Sequence, residues 1–459
     1  MKQIQYGMKK LNLINQFNLE RLFLISKPKR AKMEQLSYTY SNLLECITYS
    51  DLMENKSLID YSARVLASKS AQRKAAEKSF LEDGVKEINI SGKKGIKFKT
   101  IEDKLISRLL VRNLKKSYKI SRVNRHDIIK NLIINLKDGS PYNIARLDIK
   151  SFYDSIDFKV LLDKIVSDGK VSRYDINLLY KFKDSLDQKM ISGLPRGISL
   201  SATLAELCLQ EIDSFFLKEK DVFYYSRFVD DILIIHHGGE ITKQFITDYF
   251  SSHLPGNLTL HEKEKLAFLN IAGARGNIND DKTQVDKVDE MDFLGYNFKI
   301  YNIYNENDHV FLSPNRKIHV DLSVKKIHKI KVRIIKSFVA FINSNKSHDD
   351  FLLLNDRIKF ITGNYPIKDP VSGIKINSGI FYNYQYKNVG LNCSLVELDN
   401  FLRSILFGSN NTFSKRISNS LTIQQKRIIA KLNFKSGFYM IRFHTFSYSR
   451  LKEIKGCWK

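Results

Sequence analysis

The chain has 459 residues, of which 43% are hydrophobic, enough to bury two or three cores. Lys and Arg number 75 and Asp and Glu 49, so the net charge at pH 7 is +26. This imbalance predicts a polyanionic partner, for which nucleic acid is the first candidate and a membrane surface the second. No amphipathic helix is evident as a lipid-facing element, so no membrane partner is expected. We also find no apolar run of 18 residues and no secretory leader in residues 1–10, so no transmembrane span is expected.

The four cysteines are informative only about the cellular compartment. Cys46, Cys208, Cys393 and Cys457 form no Cys-x-x-Cys pair and have no histidine at a zinc-ligand spacing, so a structural zinc site is not expected. Scattered single cysteines are typical of a reducing environment. The sequence therefore predicts a cytoplasmic protein.

The first strongly amphipathic element is a helix predicted for residues 101–119. Its apolar stripe consists of Ile101, Leu105, Leu109 and Leu110. A short basic segment follows at residues 121–126 and contains Arg122 and Arg125. Both arginines are candidates for gripping a triphosphate, and a basic surface turn is the alternative interpretation.

The first acidic motif follows a Gly-Ser-Pro break at residues 139–141. A short strand is predicted from Ile144 to Ile149, with Asp148 near its end. Asp154 and Asp157 come soon after it, and a surface or structural role is the simpler interpretation of both.

A turn rich in glycine and proline lies between this strand and the second acidic motif. Residues 193–201 read Gly-Leu-Pro-Arg-Gly-Ile-Ser-Leu-Ser and predict a turn that leads into an apolar helix. One face of that helix is marked by Leu200, Leu204, Leu207, Ile212 and Phe215.

Two adjacent carboxylates, Asp230 and Asp231, interrupt an apolar, β-prone run. Residues 222–229 and 232–235 flank them, which predicts a β-hairpin with two acids at its tip. Like charges beside hydrophobic strands are costly unless a positive group neutralises them. Mg²⁺ suits carboxylate oxygens well, although an Asp-Asp pair alone is also common in surface hairpins.

The last motif is Phe293-Leu294-Gly295-Tyr296, predicted as a short strand that contains a glycine. The patterns Asp-x4-Phe/Tyr, Leu/Ile-Pro-x-Gly, Phe/Tyr-x-Asp-Asp and Phe-Leu-Gly-Phe/Tyr thus occur in order across roughly residues 100–300. Together they resemble motifs A, B, C and E of the reverse transcriptase palm. The resemblance implies an α+β, right-hand polymerase fold with fingers, a palm of antiparallel sheet and helices, and a helical thumb.

The resemblance also implies a two-metal active site. Asp148 and Asp230 would share two Mg²⁺ ions, with Asp231 as the third acid and Ile149 also in the predicted metal set. Tyr153 stands where the family has a bulky aromatic, which packs under the incoming sugar and selects dNTPs. An ordinary core tyrosine is the alternative for this position.

Further substrate contacts follow from the same resemblance. Arg196 departs from the Gln that is commonest in the family, and with Gly197 it is expected near the nucleotide. The lysine of motif D, a general acid toward pyrophosphate, is predicted to be Lys265, with Lys263 and Lys282 as alternatives. The expected primer grip consists of Phe293, Leu294, Gly295 and Tyr296.

Beyond the palm, apolar residues recur at helical spacing from Val324 to Phe341. The basic residues between them predict a thumb helix with a basic outer face along the primer–template duplex; they are Lys325, Lys326, Lys329 and Arg333.

Charge is concentrated in the last third of the chain. Residues 311–459 hold 26 Lys and Arg against 8 Asp and Glu, and so carry +18 of the total charge. Aromatic residues among these cations favour an RNA or duplex grip over a solvated helix surface. They are Phe381, Tyr382, Tyr384, Tyr386, Phe438, Tyr439, Phe443 and Phe446.

The chain is therefore divided into three predicted regions. Residues 1–140 form an N-terminal extension and fingers, residues 141–310 the palm with interleaved fingers elements, and residues 311–459 a basic thumb and nucleic-acid-binding region.

The sequence further resembles the bacterial defence-associated reverse transcriptases, with most likeness to their type-3 branch. The segments that carry this resemblance are residues 131–153, 193–197, 225–231, 361–365 and 378–382. It implies anti-phage function, dNTP substrates, a DNA product and an RNA template within a dedicated structured non-coding RNA. A second reverse transcriptase subunit or a homo-oligomer is also in keeping with it. A retron-type enzyme, a mobile-intron-type enzyme and an idle RNA-binding scaffold stay open as alternatives.

Overall fold

The computed structural model describes residues 35–90, 92–121, 124–261, 266–274, 288–304, 315–388, 393–409 and 412–458. These residues form a mixed α+β fold. Its strands make a four-stranded sheet, a three-stranded sheet and two separate hairpins, and neighbouring strands are antiparallel throughout.

The N-terminal region is helical apart from the hairpin formed by β1 (Val85–Ile90) and β2 (Lys93–Phe98). The helix predicted for residues 101–119 is confirmed, because it starts after an N-cap at Thr100 and ends where Lys119 adopts a φ of 53°. The helices are α1 (Tyr40–Leu44), α2 (Tyr49–Glu54), α3 (Tyr61–Ala76), α4 (Ile101–Tyr118) and α5 (Arg125–Leu136), with a 3₁₀ turn at Lys56–Ile59.

The central sheet confirms both the predicted strand and the predicted acidic hairpin. Its strands lie in the order β4-β5-β3-β6 and are β3 (Tyr142–Asp148), β4 (Val222–Phe228), β5 (Asp231–His236) and β6 (Ala267–Ile271). Ile232 and Ile234 of β5 face the main helical core, whereas Leu233 and Ile235 face a second core on the other side. Because both faces are covered, this strand is continuously apolar rather than alternating.

Six helices accompany this sheet. The apolar helix predicted after residues 193–201 is in fact two helices that break at Leu209, and Phe215 stacks on Tyr249 instead of continuing one buried face. The helices are α6 (Phe152–Ser155), α7 (Phe158–Ser167), α8 (Arg173–Asp187), α9 (Ser199–Cys208), α10 (Gln210–Phe216) and α11 (Lys243–His253).

The three-stranded sheet corrects one prediction. Phe293 to Tyr296 is not a strand containing a glycine, because β7 (Val288–Phe293) ends before Leu294 and β8 (Tyr296–Tyr304) begins after Gly295. Leu294 and Gly295 have φ values of 46° and 84° and form the two-residue turn of a hairpin. Two positive φ values give the turn a twist that matches the flanking strands. Strand β9 (Arg316–Leu322) completes this sheet.

Residues 258–261, which precede the lysines predicted for motif D, form no regular strand. Leu260 makes only an isolated bridge with Ile149, and the strand that pairs with β3 is β6, further along the chain. The lysines predicted for motif D (Lys263, Lys265 and Lys282) and the predicted triphosphate ligand Arg122 lie outside the described residues.

The C-terminal region has its own hydrophobic core, and the helix predicted from Val324 is confirmed. The loop of its hairpin, β10 (Asn364–Lys368) and β11 (Lys375–Gly379), contacts α2, where Tyr49 N donates to Val371 O at 3.0 Å. The helices are α12 (Val324–Ile342), α13 (His348–Thr362), α14 (Ile380–Tyr384), α15 (Ser394–Phe407), α16 (Thr412–Ser420), α17 (Ile423–Ala430), α18 (Phe434–Tyr439) and α19 (Tyr448–Gly456).

Several aromatics predicted to grip RNA are core residues instead. Phe438 is buried, while Phe381 and Tyr384 pack against the same core. Tyr439 and Phe443 remain 39% and 45% exposed. Composition shows the number of aromatic residues, but only packing decides which of them face solvent. No helix in the described ranges is both long and apolar enough to cross a bilayer.

Candidate active site

Asp148, Asp230 and Asp231 lie together at one end of the central sheet. Asp148 is the last residue of β3 and pairs directly with Asp231, the first residue of β5. Directly opposed residues in an antiparallel ladder have Cα atoms about 4.5–5.5 Å apart. Asp230 is the neighbouring turn residue, so three carboxylates from two distant segments share this end of the sheet. Asp148 is only 5% exposed.

The turn that carries Asp230 is strained. Phe228 pairs with Asp231, which leaves Val229 and Asp230 as a two-residue loop, and Val229 has a φ of 65°. A β-branched residue is rarely found there, because its Cβ crowds the backbone at a cost of about 1–2 kcal/mol. Such an outlier persists only where the surrounding contacts impose it, and these outliers cluster at functional sites.

Arg227 supplies those contacts. Its Nη1 donates to Val229 O at 3.0 Å, while Nε and Nη2 donate to the Asp213 carboxylate at 2.7 and 2.6 Å. Nη2 also donates to Glu206 at 2.7 Å. Burial alone would lower the pKa of Arg227, but the hydrogen bonds and charges of its carboxylate partners raise it. The guanidinium therefore ties the acidic turn to α9 and α10.

Arg227 is a residue that sequence reasoning missed. The sequence indicates that a positive group is needed beside the acid pair, but Arg227 pairs with Asp213 and Glu206 and supports the acidic turn through Val229 O. The available signal was the pair of acids Glu206 and Asp213, which lie in an otherwise apolar helical segment. Only the tertiary contact of these two acids with Arg227 explains their presence there, and sequence spacing does not reveal that contact.

Tyr153 lies within electrostatic range of the acidic turn. Burial first, and then the charges of Glu206 and Asp230, raise the pKa of its phenol. The Arg196 guanidinium lies over the Tyr153 ring, 5.3 Å from its centroid. Arg196 also donates to both Asp154 carboxylate oxygens, at 2.7 and 3.3 Å. Arg196 thus supports the tyrosine ring from one side, and Asp154 has the structural role that was predicted for it.

The Gly-Leu-Pro-Arg-Gly turn fits tightly between α6 and the β1–β2 hairpin. Gly193 has a φ of 71°, and a Cβ there would lie 2.4 Å from Tyr153 O, so glycine is required. Gly197 is equally confined, with a hypothetical Cβ 2.7 Å from Ile96 O. Ile96 N donates to Arg196 O at 2.8 Å. The backbone of this turn therefore connects the predicted nucleotide position to the hairpin.

Arg125 does not have the surroundings expected of a triphosphate ligand. Its Nε and Nη2 donate to Leu294 O at 3.0 and 2.6 Å, and Nη1 donates to Asn383 O at 2.9 Å. Its guanidinium also lies 5.0 Å from the centroid of the Tyr296 ring. We therefore no longer assign Arg125 to a triphosphate; it holds the Phe293–Tyr296 turn in place.

The predicted primer-grip turn is also joined to the predicted thumb. Ser323 N donates to Gly295 O at 3.1 Å, at the start of α12. The Lys326 side chain passes so close that a Cβ on Gly295 would lie 2.6 Å from Lys326 Cε. Turn and helix therefore form one connected unit.

The carboxylate cluster suits Mg²⁺ by its donor chemistry. Within the described ranges, no three His, Cys, Asp or Glu side chains form a ready-made cage for a metal ion. Mg²⁺ is usually held by one or two carboxylates together with substrate phosphates rather than by an all-protein cage. Asp148 and Asp230, with Asp231 beside them, have the donor chemistry that such a site needs.

Comparison with known families identifies the domain that contains these residues. Residues 91–298 match a family described as reverse transcriptase (RNA-dependent DNA polymerase). Residues 91–298 are thus similar to a reverse transcriptase domain. The family is defined by RNA-directed DNA polymerase activity, and reverse transcriptases generally use Mg²⁺ and act on a nucleic-acid template and product. The acidic strand end, the acidic hairpin and the Phe293–Tyr296 turn all lie within the matched residues.

Solved telomerase structures show a distant similarity. The C-terminally truncated apo telomerase of Candida tropicalis is 17% identical, with 47% of this chain and 53% of that chain covered and a TM-score of 0.32. Telomerase from Candida albicans with a fragment of telomeric RNA is 14% identical over 82% of this chain and 61% of that one, also at 0.32. This chain thus spans about half to two thirds of the length of these proteins. At TM-scores this low, we assign no role to its residues from these structures. No curated protein matches the chain.

Proposed function

We propose that this chain copies RNA into DNA at Asp148 and Asp230 by attack of a primer 3′-hydroxyl on the α-phosphate of a dNTP. The observation that carries this proposal is the register that places Asp148 opposite Asp231, beside Asp230. Bound Mg²⁺ would lower the pKa of the primer hydroxyl and neutralise charge on the leaving pyrophosphate. Primer extension by variants of these carboxylates tests the proposal.

The protein's own contribution is positioning. Phosphoryl transfer needs little covalent help from an enzyme, so rate depends on holding the hydroxyl, phosphates and metal ligands in line. Asp148 is fixed by the central strand, and Asp230 by the turn that Arg227 holds. We assign Asp148 and Asp230 as the principal metal ligands, Asp231 as the third acid and Ile149 as a further metal-binding residue.

The substrate side of the site is proposed to include Tyr153, Arg196 and Gly197. The Tyr153 ring would lie beneath the incoming sugar and exclude a 2′-hydroxyl. Its contact with Arg196 and its nearness to Asp230 support this role. The Phe293–Tyr296 turn and α12 would then hold the primer strand, and Lys265 stays the proposed general acid toward pyrophosphate.

We expect Tyr153→Ala to raise the ratio of rNTP to dNTP incorporation efficiency by about tenfold or more, because the space under the sugar opens. Tyr153→Phe is the matched control, since it keeps the ring and removes only the hydroxyl, and its ratio should stay near that of the parent protein. The measurement is single-nucleotide incorporation of each substrate by soluble protein. An unchanged ratio in Tyr153→Ala would show that the ring only packs the core.

We propose that residues 1–140 form an N-terminal extension and the fingers, residues 141–310 the palm, and residues 311–459 a basic thumb and nucleic-acid-binding region. One hydrophobic core lies within residues 322–438, which supports a separate C-terminal region. The start of that region would lie after β9, because β9 pairs with β8 and Val320 shares a core with Ile300. The main core spans residues 43–258, so fingers and palm would share it.

We also propose that the protein acts in anti-phage defence with a dedicated structured RNA, either as one subunit of a larger assembly or as a homo-oligomer. The support is the sequence resemblance at residues 361–365 and 378–382, and the charge of +18 in residues 311–459. The two resembling segments are neighbours, since Asn364 pairs with Gly379 and Tyr365 with Ser378. A large basic footprint predicts steep salt dependence, because each phosphate contact releases about 0.7–0.9 counterion.

Expression from the native gene neighbourhood should yield protein bound to one enriched, locally encoded transcript, and should protect bacteria from phage. Sequencing of the RNA that copurifies at moderate salt tests the partner, and phage plating with the parent gene and its Asp230→Asn variant tests the role. Protection that persists in the variant would favour an idle scaffold over a polymerase. A random sample of cellular RNA would rule out a dedicated partner.

A further inference from the structure

A cleft of about 780 Å³ lies between α12 and the end of the chain, in the C-terminal region. Its walls come from one face of α12, from the junction of α13 with β10, and from residues at and after the end of α19. Neither the carboxylates of the candidate active site nor the Phe293–Tyr296 turn lines it.

The cleft is strongly basic. Lys329, Arg333 and Lys336 follow one another along the same face of α12, and Lys455 lies on the opposite wall. Among the described residues that line the cleft, no Asp or Glu is present. A concave surface lined by positive charges concentrates the positive potential and attracts phosphate groups.

The floor of the cleft is aromatic. Phe360 stacks on Tyr365 with ring centroids 4.1 Å apart and planes 20° from parallel. Trp458 lies 5.5 Å from Phe360. Both Phe360 and Tyr365 are nearly buried, at 7% and 8% exposed, so this floor is fixed by the small core beneath it.

Trp458 is held in a defined orientation. Its Nε1 donates to Arg333 O at 3.1 Å and to Ser337 Oγ at 3.0 Å, and the Arg333 guanidinium lies 5.3 Å from its ring. The indole is half-buried and lines the cleft. An ordered aromatic wall costs little conformational entropy when a flat ligand stacks on it.

We propose that this cleft binds an unpaired stretch of nucleic acid, with a base packed against Trp458 and the flanking phosphates on Lys329, Lys336 and Lys455. Aromatic surfaces interleaved with cations are typical of single-strand binding, because a duplex keeps its bases stacked inside. The volume lies within the range of pockets that hold ligands of nucleotide size. This inference goes beyond the proposed polymerase reaction and does not depend on the catalytic carboxylates.

Trp458 is the single tryptophan of the sequence, so its fluorescence reports on this cleft alone. We expect a single-stranded RNA or DNA 12-mer to quench it saturably in full-length protein with EDTA and no dNTP. Comparison of the RNA and DNA 12-mers shows whether template or product is preferred. The apparent affinity obtained from quenching should be at least about fivefold lower for a duplex 12-mer and for an abasic 12-mer, because neither offers an accessible base.

Lys455→Glu should weaken the single-strand Kd about tenfold at physiological salt and reduce the slope of log Kd against log salt, since at least one phosphate contact is lost. Lys452→Glu is the matched control, because Lys452 is exposed on the same helix and does not line the cleft. Its Kd should stay within about twofold of the parent value.

Three outcomes would overturn the proposal: no quenching by any single strand, equal quenching by the abasic strand, or equal loss in the two lysine variants. Quenching by phosphatidylserine vesicles but not by single strands would also overturn it and point to a membrane surface. Asp230→Asn protein should bind the 12-mer as the parent does, so failure of the polymerase proposal and failure of this one give different results.

Discussion

Replacing Asp148 or Asp230 by Asn is expected to abolish Mg²⁺-dependent dNTP incorporation and leave the fold intact. The amide has the shape of the carboxylate but lacks the charge that holds the metal, and loss of one such group can cost several kcal/mol of transition-state stabilisation. The expected loss is on the order of 10³-fold or more in rate. The measurement is extension of a primer on an RNA template by each purified variant.

Asp163→Asn is the matched control for this experiment. Asp163 is exposed on α7, so the same change there should leave incorporation near the parent level. Thermal unfolding of all variants separates lost chemistry from lost structure. Undiminished incorporation by either Asp148→Asn or Asp230→Asn would show that the active site has been assigned to the wrong residues.

The second large effect is expected for Arg227→Met. This side chain is 6% exposed and joins Asp213 and Glu206 to the carbonyl of Val229. Removing one partner of a buried ion pair leaves the other charges uncompensated, at a cost of about 2–4 kcal/mol here, because Glu206 is partly exposed. The Val229 turn should also relax from its strained φ and move Asp230, so the rate at saturating dNTP should fall while KM changes little.

Two controls separate positioning from general destabilisation. Arg112→Met removes a similar side chain from an exposed pair with Glu45, where a cost below about 1 kcal/mol is expected. Arg227→Lys keeps the charge but not the forked geometry, so it should restore part of the stability and less of the rate. Urea unfolding and steady-state kinetics of the three variants provide the comparison. If Arg227→Met keeps the parent rate while folded, Arg227 does not position the acidic turn.

Local patterns predicted the elements on which the candidate site is built. The helices from Ile101 and Val324 were evident because their apolar residues recur at helical spacing, and both have the predicted length within about one residue. The acidic hairpin was evident because apolar strands flank a short polar turn. The order of the motifs then indicated which acids form one site. The strand register places Asp148 opposite Asp231, as a shared site requires.

Contacts between distant segments could not be predicted in this way. Arg125 was interpreted as a phosphate ligand, because nothing in its neighbourhood shows that Leu294 O accepts its hydrogen bonds from 169 residues away. Leu294 and Gly295 were placed within a strand since their neighbours are strand-forming, although positive φ values make them a turn. The ion pair of Arg196 with Asp154 could not be predicted either, although Arg196 stays on the substrate side of the proposed site. In each case the partner of a side chain, not its type, decides what it does.

The most direct test of the central claim is extension of a DNA primer on a heteropolymeric RNA template by the purified parent protein. We expect a DNA product complementary to the template, formed with dNTPs and Mg²⁺ and abolished by EDTA. Sequencing of the product distinguishes copying from untemplated addition. A folded protein that incorporates no dNTP, or whose product does not depend on the RNA template, would show that the chain is not an RNA-directed DNA polymerase.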